Sequence, residues 1–241
     1  NEIISHIRSG SNVTMISIRR IGKTGLILRT FDELSKPEYG FMTVYADIYA
    51  TSNLEEFTKT LAEAVVNQCG KTGIRQFFSK LGNLRPLLSY DPISGQPQVS
   101  ITYQAESQKA ATLKSILGYL EGLGRPVVVA IDEFQQIREY SDVHMEALLR
   151  TYIQNLHNVR FIFSGSKKHL MTDMFCSEKA PFYQSAANVP IAKLNADIYA
   201  DFIISKFKSG GKSIQREVAG YIIEWSRCHT FYTQCLCNEI Y

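Results

Sequence analysis

The sequence predicts an α/β fold: a mostly parallel sheet with helices on both faces, followed by a short all-helical tail. Three observations carry this. Short apolar runs rich in β-branched residues, such as Val13-Thr-Met-Ile-Ser-Ile18, alternate with segments of helical periodicity through residue 194. The run Pro126-Val-Val-Val-Ala-Ile131 is continuously apolar, as a strand buried on both faces must be. From Asn195 onward only helical spacing remains. Alternation of this kind gives parallel strands with crossover helices.

Taken in order, Glu2 to Arg8 forms a short helix with Ile3, Ile4 and Ile7 on one face. The strand Val13 to Ile18 follows, then a helix whose Leu26, Ile27, Thr30, Phe31 and Leu34 recur at helical spacing. Lys36-Pro37-Glu38-Tyr39-Gly40 is turn chemistry, and Phe41 to Asp47 is the second strand. Thr51, Ser52 and Asn53 offer N-caps to a helix carrying Leu54, Phe57, Leu61, Ala64 and Val65. Gly70 reads as its stop, and Ile74 to Leu81 as another short helix. Residues 84–103 hold Pro86, Pro92 and Pro97, and two alternating arms, Arg85–Tyr90 and Gln98–Tyr103, flank the Pro/Gly turn Asp91–Pro97, which predicts a hairpin or exposed ribbon inserted into the core. Helices are expected from Lys109 to Gly122 and from Val143 to His157. Val159 to Phe163 is a strand ending in Ser164-Gly-Ser166, and Asn188 to Ala192 a last strand whose Pro190 suits an edge. The tail has helices at Ile198–Phe207, Gln215–Trp225 and from Phe231 to the end.

Chemistry concentrates in two places. Ser17-Ile-Arg-Arg-Ile-Gly22-Lys23-Thr24 lies between a strand and a helix. A loop so placed turns backbone N–H groups and a helix N-terminus toward one point, where polyphosphate can sit. Lys23 would reach the β- and γ-phosphates, and the Thr24 hydroxyl would ligate magnesium. More than a hundred residues downstream, Asp132 and Glu133 end the apolar strand. Carboxylates there stand where ligands bind in open α/β sheets; Asp132 would hold the metal and Glu133 would polarise water. A second Gly-Lys-Thr, at Gly70-Lys71-Thr72, follows a helical pattern instead of a strand and is a helix end and turn.

Composition fits a folded, cytoplasmic protein without a membrane partner. The 241 residues are 45% hydrophobic and 20% charged, with net charge +3, too near neutral to argue for nucleic acid. No apolar run approaches the ~18 residues of a membrane span. The five cysteines are an odd count in a chain large enough to need no disulfide staples, which points to reduced thiols. Cys228, His229, Cys235 and Cys237 lack the close Cys pair that a zinc site wants, and no zinc is expected.

Arg19-Arg20-Ile21-Gly22-Lys23-Thr24, Ile131-Asp132-Glu133-Phe134-Gln135 and Phe163-Ser-Gly-Ser166 together resemble the archaeal-type ATPases, in the AAA/STAND branch of the P-loop NTPases. These occur in archaea and bacteria. The likeness continues through Asp47-Ile-Tyr-Ala-Thr51, Pro181-Phe-Tyr183 and the helical tail, so it covers nearly the whole chain. It implies a three-layer αβα P-loop core over residues 1–194, with a five-stranded sheet in which another strand separates the loop strand from the acidic strand. It also implies a helical lid over 195–241, and ATP with Mg2+. The nucleotide set would be Ser17, Arg19, Arg20, Ile21, Gly22, Lys23, Thr24 and Gly25, with Ser164 or Ser166 as the polar sensor. Thr24 and Asp132 would hold the metal, and Glu133 and Lys23 would be catalytic. Asp47 would stand behind the ligands as a structural polar group, and Arg138 or Arg150 could act across a subunit boundary.

Three positions depart from the family. Ser17-Ile18 replaces Gly-Pro, and Cys228-His229-Thr230 replaces the lid's Gly-His-Pro. The family's upstream Phe-x-Gly-Arg-Glu box is not visible in the sequence. His229 therefore either contacts the nucleotide or packs and caps. Three functions follow from the resemblance: an ATPase, a nucleotide-gated regulatory or defence switch with little hydrolysis, or a DNA-directed ATPase of a mobile element or defence system. The expected partners are ATP or ADP, further copies of the chain, and a protein or DNA engaged by a domain beyond residue 241.

Overall fold

The computed structural model describes residues 2–81, 87–93, 95, 97–103, 105 and 107–241. Its main sheet has five parallel strands: β1 (Val13–Ile16), β2 (Met42–Asp47), β5 (Val127–Asp132), β6 (Val159–Gly165) and β7 (Ala187–Asn188), in the order β2-β5-β6-β1-β7. β6 lies between the loop strand β1 and the acidic strand β5, so the loop and the carboxylates flank the end of β6 at the carboxyl end of the sheet.

One face of the sheet is covered by α1 (Glu2–Arg8) and α2 (Lys23–Leu34). Ile3, Ile7, Ile27, Phe31 and Leu34 pack there against Val13, Met15, Val128, Ala130 and Ile162. The opposite face is covered by α3 (Leu54–Gln68), α5 (Ser107–Glu121), α6 (Met145–Ile153) and α7 (Lys168–Cys176) over Val44, Val129, Phe161 and Phe163. Each such aliphatic side chain stabilises the fold by roughly 1.5–3 kcal/mol on leaving water. Asn53 caps α3 by accepting from the Glu56 N–H at 2.9 Å, a contribution of about 1 kcal/mol. The tail helices α8 (Ala196–Ser209), α9 (Arg216–Trp225) and α10 (Thr230–Ile240) hold a separate small core of Tyr199, Ala200, Ile203, Phe207, Ala219 and Ile223.

Several expectations shift. β1 stops at Ile16, two residues early, because the Ser17 and Ile18 carbonyls turn inward to accept from Lys23 Nζ. The last strand shrinks to Ala187–Asn188 at the edge beside β1. After Val189 N donates to Thr14 O, Pro190 has no N–H with which to continue the ladder. Gly70 is no left-handed stop: its φ is −69°, Cys69 ends α3, and Gly70 is the N-cap of α4 (Lys71–Lys80). That Gly-Lys-Thr thus opens a helix, but it follows a helix and not a sheet strand.

The hairpin is present as antiparallel β3 (Leu87–Tyr90) and β4 (Pro97–Ser100), with Val99 N donating to Glu63 of α3. Residues 84–86, 94 and 96 of that expectation lie outside the described residues. Two elements were not foreseen. α7 buries Met171, Met174 and Phe175. A 3-10 turn, Phe134–Glu139, buries Phe134 and Ile137 directly after the acidic pair.

Candidate functional site

The loop after β1 enters α2 through Gly22, whose φ of 101° lies in the left-handed region. A Cβ added there would meet nothing within 4 Å, so the space in front of the loop is open. No side chain caps α2, and its first turn carries no acidic residue. Its N-terminal N–H groups and dipole therefore remain for an anionic ligand. Lys23 is buried and donates to Ser17 O at 3.4 Å and Ile18 O at 3.2 Å. Burial lowers its pKa, opposed by the charges of Glu133 and Asp132. Gly25 is exposed in the first turn of α2.

Asp132 ends β5 almost fully buried. Thr24, 108 residues away in sequence, donates its hydroxyl to Asp132 Oδ2 at 2.9 Å. Tyr45 on β2 donates to the same oxygen at 2.9 Å, and the Glu133 N–H donates to Oδ1 at 3.0 Å. The Tyr45 phenol is pushed up by burial and by the Asp132 charge, so it acts as a donor at any ordinary pH. Hydroxyl and carboxylate oxygens in contact are the hard donor set that magnesium selects.

Glu133 takes φ 56°, an uncommon choice for a side chain with a Cβ. What holds it is underneath: Phe134 packs among Phe163, Phe175 and Phe182, with ring centroids 4.5–5.8 Å apart. Glu133 Oε2 accepts from Ser166 Oγ and from Gln135 Nε2, each at 2.6 Å. Arg19 Nε in turn donates to Ser166 Oγ at 3.4 Å, and its guanidinium lies 5.5 Å from the Tyr49 ring. Of the two serines, Ser166 meets the acidic pair, whereas Ser164 is fully buried with its Oγ unpartnered.

Arg20, also left-handed at φ 61°, stacks 4.4 Å over Phe231 of α10, and its carbonyl accepts from Thr230 Oγ1 at 2.7 Å. The tail helix is thereby fastened to the loop. Between them lies a cavity of about 560 Å³ bordered by Arg19, Lys23, Thr24, Asp132, Glu133 and Phe231. A second, of about 440 Å³, is lined by Ile18, Ile21, Trp225, His229 and Tyr232. His229 is the N-cap residue of α10, with its ring 4.8 Å from Tyr232 and its Nδ1 buried without a partner. It follows two left-handed residues, Arg227 and Cys228.

The remaining expectations fall elsewhere. Asp47 borders the first cavity, and its Oδ1 accepts from Tyr49 N at 2.9 Å. Arg138 is paired with Glu146 at 2.7 Å and Asp173 at 3.6 Å, and Arg150 sits half-buried on α6. The five cysteines are free thiols, and no cluster able to hold a metal through His, Cys, Asp and Glu alone occurs among the described residues. Among those residues no helix is long and apolar enough to cross a membrane.

Comparison with known proteins supplies the family and the fold. A model of the AAA domain matches residues 8–171, more than half of the chain and every residue from the loop to Ser166. The chain belongs to the AAA family. This AAA domain resembles the Walker-type ATPase of Pyrococcus abyssi, with TM-score 0.62 and 19% identity over 93% of this chain and 62% of that one. The ORC2 protein of Aeropyrum pernix, solved in ADPNP-ADP complexes, matches with TM-score 0.53 and 18% identity over 86% of this chain and 49% of that one. A RuvB variant of Thermotoga maritima matches with TM-score 0.55 and 10% identity over 98% of this chain and 59% of that one. The chain thus spans less than two thirds of each of these structures. No curated protein matches it at a significant level.

Tyr45, Phe231, Trp225 and Tyr232 belong to the two cavities or hold their residues without a role assigned from sequence, and Gln135 enters the sequence reading only as the last residue of the acidic strand motif. A signal existed for Tyr45: it lies two residues before the end of the strand that pairs Asp47 with Asp132, on the pleat face that Asp132 shares. Nothing local marked the others, which depend on how the tail and the 3-10 turn fold back.

Proposed function

We propose that this AAA domain binds ATP with Mg2+ and hydrolyses it to ADP and phosphate. The observation that carries the proposal is the 2.9 Å contact between Thr24 and Asp132, which joins the uncapped helix terminus to the acidic strand with Glu133 beside it. Lys23 would leave the Ser17 and Ile18 carbonyls for the phosphate oxygens, and the amides of Ile21 to Gly25 would cradle them. Thr24 and Asp132 would hold magnesium, which neutralises charge on the β- and γ-phosphates. Glu133 would orient a water in line with the γ-phosphorus and accept its proton. The new P–O bond forms as the bond to the bridging oxygen breaks, its electron pair leaving with ADP. The base of the nucleotide would lie in the apolar cavity of Ile18, Ile21, Trp225 and Tyr232, beside His229.

We assign the domain, within the AAA family, to archaeal-type ATPases of the STAND branch, on the Arg19-Arg20 loop and the Asp132-Glu133-Phe134-Gln135 strand end. The tail over 195–241 would serve as the lid, since Thr230 and Phe231 hold the Arg20 turn that phosphates must approach. A switch with little hydrolysis is the second reading, favoured by Cys228-His229-Thr230 in place of the lid's Gly-His-Pro and by Ser17 at the start of the loop.

Lys23→Ala tests the binding site itself. With ATP at 100 times its dissociation constant, the native domain should gain roughly 2.7 kcal/mol of stability, read as a rise in melting temperature. The variant should show no such rise. An undiminished rise would remove Lys23 from the site.

A further inference from the structure

Gln135 is buried to 1% exposure, yet its side-chain amide makes one of the four hydrogen bonds open to it. Its Nε2 donates to Glu133 Oε2 at 2.6 Å, while its Oε1 has no partner. The opposite amide orientation would set Oε1 against a carboxylate oxygen, so the network fixes this one. Oε1 is pressed toward Gly165, where an added Cβ would come within 2.4 Å of it. Burying an unpaired amide oxygen is unfavourable, and an apolar side chain of the same length would fill this position without that cost. What the amide supplies in return is its N–H on Glu133, matched on the same oxygen by Ser166.

We propose that Gln135 is a positioning residue for Glu133. Together with Ser166 it immobilises Oε2, so that the other carboxylate oxygen is the one presented to water in the cavity at Lys23. The arrangement rests on the ATPase reading for its consequence, but not for its geometry. Two short donors on one oxygen fix the rotation of the carboxylate, where free rotation would scatter the base over several orientations. A general base misplaced by about 1 Å loses up to ~10²-fold in rate.

The variant to make is Gln135→Met, which keeps chain length and apolar volume while removing the donor. Steady-state ATP turnover should fall about 10- to 100-fold with KM for ATP nearly unchanged, the pattern of an interaction that matters to the chemical step alone. In a Glu133→Gln background the same change should add no further loss, because its effect passes through Glu133. Turnover equal to or faster than the native rate would overturn the proposal, as would an equal further loss in the double variant. Ser166→Ala should fall in the same way, with Ser166→Thr restoring the rate. If Gln135→Met does not fold, this pair decides, and an unchanged rate in Ser166→Ala rejects the two-donor grip. If the native protein shows no turnover, the ATPase reading fails by itself. Crystal structures of the native protein and Gln135→Met then decide separately: a carboxylate that stays in place without the amide overturns the positioning role.

Discussion

Lys23 meets two opposed demands. It must be buried to sit under the loop, which lowers its pKa from 10.5, and it must stay charged to meet phosphate. Glu133 and Asp132 supply the opposing pull, and the loop carbonyls of Ser17 and Ile18 accept its protons. Because the folded pKa lies below that of the unfolded chain, the charged lysine weakens the fold, and this penalty fades as pH rises from the folded value toward 10.5. ATP binding should therefore weaken at a pH below 10.5, where the folded lysine begins to lose its proton. Binding in that window should also take protons up from solution, since phosphate restores the charged form. Calorimetry in buffers of different ionisation enthalpy measures this uptake. No uptake, with affinity constant through the window, would contradict the burial argument. Lys23, Thr24, Asp132 and Glu133 were legible in sequence because loop, strand end and residue type are local signals. The partners of Tyr45 and Gln135 were not, since each gains its partner from the strand order or the turn that follows.

At the scale of elements, the site rests on the ends of β1, β5 and β6 and the start of α2. Gly165 shows how tightly they are built. A Cβ at that position would stand 2.4 Å from Gln135 Oε1 and 2.5 Å from Met171 Cγ. Met171 is flexible but fully buried in the α7 layer, so the overpacking must displace either that helix or the 3-10 turn. Gly165→Ala should lose roughly 1–3 kcal/mol of stability, a drop of several degrees in melting temperature for a chain of this size. A native melting temperature would show slack that the structure does not contain. The helices and core strands were legible from periodicity. The Gly70 turn and the last strand differ from the sequence reading, because Gly70 caps the next helix instead of stopping the one before it, and Pro190 ends the strand instead of lying within it. α7 was overlooked although Met171, Met174 and Phe175 share one helical face; its short span offered no cap or stop signal.

For the whole molecule, three distant stretches of chain and the helical tail meet around one loop. β6, standing between β1 and β5, sets the loop beside the carboxylates, and Thr230 and Phe231 fasten α10 to the Arg20 turn. Loop and tail are thereby tied through the same few residues. That tie serves a hydrolysing enzyme or a nucleotide-gated switch equally well, and Glu133 separates them. Glu133→Gln keeps size and hydrogen-bonding capacity while removing the negative charge that, in the ATPase reading, takes the proton of water. The measurement is ATP binding and single-turnover hydrolysis on the native protein and this variant, under the same conditions. ATP should still bind, while hydrolysis falls by about 10²-fold or more through loss of a positioned general base. A variant that hydrolyses ATP as fast as an active native protein would contradict the account.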